Sequence, residues 1–69
     1  MDKRTAIQLV GQVATEMGDS SSAHFEQDMT YGAFIREVAE GKYDTIKEAE
    51  EIAKILIKID DLDFPRWYG

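Results

Sequence analysis

A chain of 69 residues with 43% hydrophobic and 32% charged residues and no cysteine reads as one small globular domain, neither disordered nor stapled by disulfides. Eight basic residues against fourteen acidic leave a net charge of −6, which disfavours a nucleic-acid duplex or an anionic membrane as partner. No apolar run reaches the roughly 18 residues of a membrane span and no signal-peptide pattern opens the sequence, so a cytoplasmic protein with no membrane partner is expected.

Asp2 is placed to cap a helix whose apolar positions, Ala6, Leu9, Val10, Val13, Ala14 and Met17, recur at spacings of three and one. That pattern predicts a first helix over residues 3–17, stopped by Gly18 in a left-handed cap. Gly11 lies inside it at a cost of ~1 kcal/mol against alanine. Simple tolerance is the expectation there, and close approach of another helix the alternative. Residues 19–29 read as the one long connection. Asp19 and the three serines after it favour a turn, because their side chains compete for backbone groups. Phe25 and Met29 are its expected anchors on the core, with at most a short helical turn over residues 23–27.

Thr30 reads as the next N-cap. Tyr31, Phe34, Ile35 and Val38 follow at i, i+3, i+4 and i+7, predicting a second helix over residues 30–41 that ends at Gly41. Glu37 and Glu40 fall off that stripe and are expected in solvent. The link from Gly41 to Asp44 is short enough for a helical hairpin. Thr45 and Glu48 form a capping-box pair, opening a third helix over residues 45–59 with the stripe Ile46, Ala49, Ile52, Ala53, Leu56 and Ile59. Glu50 and Lys54 add an i, i+4 ion pair in the favoured order. From Ile55 to Ile59 this helix is apolar on nearly every side, more than a single core contact requires. Asp60, Asp61 and Asp63 end it as a solvated acidic turn, and residues 64–69 form an aromatic tail.

The expected fold is therefore all-α. It is one domain over residues 1–69, a three-helix unit built from an N-terminal helix and a helical hairpin. So short a chain buries a small share of its surface, so a homo-oligomer is expected to complete it. Val10, Val13, Tyr31, Phe34, Ile35, Val38, Ile52 and Leu56 are the expected core.

Chemistry-bearing patterns are few. His24, the lone histidine, sits beside three serines and near Glu26 and Asp28. A triad needs a rigid frame and an oxyanion hole, and a zinc site needs further nitrogen or sulfur ligands, so an ordinary loop histidine is expected. Asp60, Asp61 and Asp63 lack the glycine and closing glutamate of a calcium loop. Glu48, Glu50 and Glu51 at the start of the third helix would repel DNA in a helix-turn-helix reading. Glu37 and Glu40, with Glu48 and Glu51, make two Glu-x-x-Glu pairs. Their spacing resembles that of all-α nucleotide pyrophosphohydrolases of the MazG type, which hold magnesium against a phosphate chain. That resemblance implies a magnesium-dependent hydrolase as one alternative.

The tail carries the strongest functional signal. Arg66, Trp67 and Tyr68 place three hot-spot residue types in a row. With Tyr31, Tyr43 and Arg36 they are the candidate binding residues. No catalytic set, cofactor or metal is expected. In size, acidity and lack of cysteine the chain resembles small proteins of phages and other mobile elements, many of which inhibit a host protein or defence pathway. The leading expectation is thus a non-enzymatic helical protein that occupies the surface of a host protein. The other alternative sequesters a small anionic nucleotide or signal at a subunit interface, using the tyrosine rings and the cations Arg36, Lys42, Lys47 and Arg66.

Overall fold

In the computed structural model, which describes residues 1–64, Asp2 caps α1 (Lys3–Thr15), its carboxylate accepting the Thr5 backbone N–H at 2.8 Å. That hydrogen bond, helped by the Thr5 hydroxyl, holds the Asp2 carboxyl below the usual carboxylate range. The helix ends two residues earlier than the stripe suggested, and Gly18 does not stop it in a left-handed turn. Among the described residues only Gly41 has a positive φ, at 71°. Gly11 faces open space, with nothing within 4 Å of where a Cβ would stand, so no helix approaches closely there.

The second helix departs most from expectation. Residues 20–29 are not a connection; they form the first half of α2 (Ser20–Ala39). Asp19 is the N-cap. Its Oδ1 accepts from the backbone N–H groups of Ser21 and Ser22 at 3.1 and 3.3 Å, and the Ser22 hydroxyl donates to its Oδ2 at 3.1 Å. The same hydrogen-bonding habit that suggests a turn also satisfies the free N–H groups of a first helical turn. Thr30, expected as a cap, lies buried in mid-helix. The inward face of α2 is Ala23, Gln27 and Thr30, flanked by half-buried Tyr31 and Phe34. Phe25 and Met29 are not anchors: they point outward, 61% and 58% exposed. Ile35 and Val38 are likewise open to solvent rather than in the core.

A Schellman closure ends α2. The Gly41 N–H donates to the Val38 carbonyl and the Lys42 N–H to the Glu37 carbonyl, with Gly41 left-handed between them. The hairpin then turns into α3 (Ile46–Leu56), capped by Thr45, whose hydroxyl oxygen accepts the Glu48 N–H at 3.2 Å. Glu48 reaches back to accept the Asp44 N–H, one residue beyond the standard box. The third helix stops at Leu56, short of residue 59, and tightens into a 3-10 turn over Ile57–Asp61. The tighter winding turns Ile59 fully inward and leaves Ile57 on the surface.

The fold is all-α, as the sequence implies. Two apolar clusters hold it together. One joins Val13, Ala23, Ile59 and Phe64; the other joins Ala6, Ile52 and Leu56. Val10 and Tyr31, both half-buried, touch both clusters and make the core continuous. α1 packs on both partners, while α2 and α3 contact each other least. They therefore leave a groove between them. No helix among the described residues is long and apolar enough to cross a membrane.

Candidate functional site

Three of the six expected binding residues, Arg66, Trp67 and Tyr68, lie outside the described residues. The other three are not brought together. Tyr43 packs its ring against Phe34, centroids 5.7 Å apart and tilted by 58°, and its hydroxyl donates to Glu37 Oε1 at 2.8 Å. Tyr31 lines the groove between α2 and α3, its hydroxyl donating to Asp60 Oδ1 at 2.7 Å. The Gln27 amide donates to the same oxygen at 3.0 Å, so Asp60 belongs to a cross-helix network rather than a free acidic turn. Arg36 stands apart on the exposed outer side of α2.

The paired glutamates are dispersed as well. Glu37 is not a solvated side chain: its Oε1 accepts from the Met1 ammonium at 3.0 Å as well as from Tyr43. Burial works to raise this carboxyl, but those two donors outweigh it and hold it below its ordinary value. Tyr43 moves the other way. Burial first, then the hydrogen bond to the Glu37 carboxylate, push its hydroxyl up to about 12. Glu51 pairs with Lys3 at 3.3 Å, Glu48 serves the α3 cap, and Glu40 is the exposed C-cap of α2. No three acidic or histidine side chains among the described residues gather as metal ligands would. His24 lies on α2 rather than in a loop, its Nε2 3.7 Å from Asp28 Oδ1 one turn on.

Two surfaces remain. The first is the groove, about 240 Å³, walled by Tyr31, Phe34 and Ile35 from α2 and by Ala53, Leu56 and Ile57 from the other side, with Asp60 at its rim. Its volume falls below the roughly 300–1,000 Å³ of small-molecule sites, and its walls are almost wholly apolar, which suits side chains better than a nucleotide.

The second surface is the outer face of α2. At 100° per residue, Phe25, Met29, Gly32 and Arg36 fall on one narrow stripe. Between Met29 and Arg36, Gly32 and Ala33 leave a depression in the helix surface, with Lys42 at its edge and Asp28 and Glu40 on its walls. The Gly32 position is open, with nothing within 4 Å of a built Cβ, so the backbone does not require glycine there. Asp19 and the three serines after it hide Phe25 and Met29 as surface residues in the sequence, because that run suggests a connection as readily as a helix start. Recognising Asp19 as an N-cap puts them on a helix face. No family model matches this chain, and neither a curated protein nor a solved structure matches it.

Proposed function

We propose that this is a non-enzymatic binding protein that lays the outer face of α2 into an apolar groove of a partner protein. The observation that carries the reading is the exposed Phe25–Met29 pair, four residues apart on a well-capped helix, with Arg36 two turns further along the same stripe. Anchors at helical spacing are how one helix seats in another protein's groove. Phenylalanine, methionine and arginine are enriched at such contacts, and methionine adapts to irregular pockets. The depression over Gly32 and Ala33, about 580 Å³ and open to solvent, offers room for partner side chains between Met29 and Arg36. The net charge of −6 favours a partner with a basic rim. Occupying a partner's groove in this way would make the chain an inhibitor of the kind it resembles in size and acidity.

Site-specific photo-crosslinking tests the reading. A photoreactive residue replacing Met29 should capture one protein from the native host, and the same residue replacing Ile7, exposed on α1, should not. Equal capture from both positions, or capture from Ile7 alone, would remove α2 as the binding face.

A further inference from the structure

The groove between α2 and α3 has almost wholly apolar walls, and two of the residues lining it, Ile35 and Ile57, are 65% and 59% exposed. A solitary exposed isoleucine needs no explanation; a continuous apolar lining in so small a domain calls for an occupant. Residues 65–69, outside the described residues, follow directly on Phe64 and hold the three side chains whose types favour contact, Arg66, Trp67 and Tyr68.

The position of Phe64 brings this segment within reach. Phe64 is buried in the cluster of Val13, Ala23 and Ile59, and Tyr31 packs against that cluster while also lining the groove. Asp60, in the turn that leads to Phe64, stands at the groove rim and accepts the Tyr31 hydroxyl. One side chain, Tyr31, thus separates the Phe64 cluster from the mouth of the groove. Extended backbone spans at most about 3.3–3.6 Å per residue, so residue 67 reaches about 10 Å from residue 64, nearly two helical turns. Pro65 has a fixed φ, which lowers the entropy lost when the segment seats.

Charge sets the direction of entry. Asp60 is the one charged residue lining the groove, and Arg66 carries the one charged side chain among residues 65–69. The two donors on the Asp60 carboxylate, Tyr31 and Gln27, are neutral, and among the described residues Asp60 forms no ion pair. We propose that the chain covers this groove with its own residues 65–68, Trp67 lying on Leu56 between Tyr31, Phe34 and Ile57, and Arg66 pairing with Asp60 at the rim. Indole gives the groove a large apolar body and leaves its N–H toward the polar rim, while a guanidinium forms a charge-assisted hydrogen bond with the carboxylate. A segment joined at Phe64 acts at an effective concentration on the order of millimolar. It therefore outcompetes a comparable segment of a second copy at micromolar concentration. The outer stripe of α2 stays uncovered.

Trp67 is the one tryptophan of the chain, so its fluorescence reports its surroundings directly. In the folded parent its emission should be blue-shifted and its quenching by acrylamide several-fold weaker than in the urea-unfolded chain, both independent of protein concentration. Its position is read with nitroxide labels, since the chain has no cysteine of its own. A label on Ile57→Cys should quench Trp67 strongly, and the same label on Met29→Cys, on the outer face of α2, should not. Ile57→Glu should move the emission to the red and restore quenching by acrylamide with helical content retained, whereas Phe25→Glu should do neither. Solvent-like emission from the folded parent overturns the proposal, as does a Met29 label that quenches as strongly as the Ile57 label. Burial of Trp67 that is lost on dilution also overturns it, because the groove is then filled by a second copy. Should Ile57→Glu fail to fold, the two labels decide alone: no quenching from Ile57 rejects the seating of Trp67 in the groove.

Discussion

Glu37 ties the start of the chain to the turn between α2 and α3 through one oxygen, which accepts from both the Met1 ammonium and the Tyr43 hydroxyl. Its carboxyl is held below its ordinary value, so the charged form is favoured by folding. Stability from this group is complete above the unfolded carboxyl's pKa and is lost as pH falls through the lower folded value. The Tyr43 hydroxyl has the opposite sign. Raised to about 12 from 10.0, it contributes stability that is complete below pH 10 and is lost as pH rises from there toward 12. Urea melts should therefore show the parent weakening over that alkaline window and Tyr43→Phe weakening less. A Tyr43→Phe curve parallel to the parent's from neutral pH to pH 12 would contradict the assignment. Glu37→Gln should cost about 1–3 kcal/mol at neutral pH, because the ammonium loses its counter-charge in a half-buried site.

Elements differ in how far they could be read from sequence. α1 and α3 were legible because each begins with a capping side chain and carries one unbroken apolar stripe, and their ends shifted by only a few residues. The second half of α2 was legible for the same reason. Its first half was not, because Asp19 followed by three serines has two readings, a turn or a helix start, and local propensity does not choose between them. Packing chooses: Ala23 and Gln27 are small or polar enough to face inward beside α1 and Asp60, which a hydrophobicity pattern does not reward. The same choice left Phe25, Met29, Ile35 and Val38 outside, which hid one candidate surface and exposed another. Asp19→Ala should cost about 1 kcal/mol and speed amide exchange over residues 20–24, leaving α3 protected. Unchanged protection there would mean that the cap does not hold the helix start. Gly32 and Gly11 provide a paired comparison, since both are exposed and open. Each substitution by alanine should stabilise the fold by about 0.5–1 kcal/mol in a thermal or urea melt. Only Gly32→Ala should also weaken partner binding, because its methyl group stands on the stripe between Met29 and Arg36 where the partner would seat.

For the molecule as a whole, two apolar surfaces stay exposed among the described residues: the outer stripe of α2, proposed to seat on a partner, and the α2–α3 groove with Ile35 and Ile57 among its walls. Electrostatics act at this scale too. With a net charge of −6, association with a basic-rimmed partner should slow several-fold as ionic strength rises from low to physiological, whereas the dissociation rate should change little. The most direct measurement is the affinity of the cross-linked partner, once identified, for Phe25→Ala/Met29→Ala compared with Ile57→Glu, each checked for helical content. Binding through the outer face of α2 predicts on the order of a 100-fold loss or more for the double variant, since anchors of this kind carry at least ~1–2 kcal/mol each, and an intrinsic affinity close to that of the parent for Ile57→Glu. Parent-like affinity in the Phe25→Ala/Met29→Ala protein would contradict it.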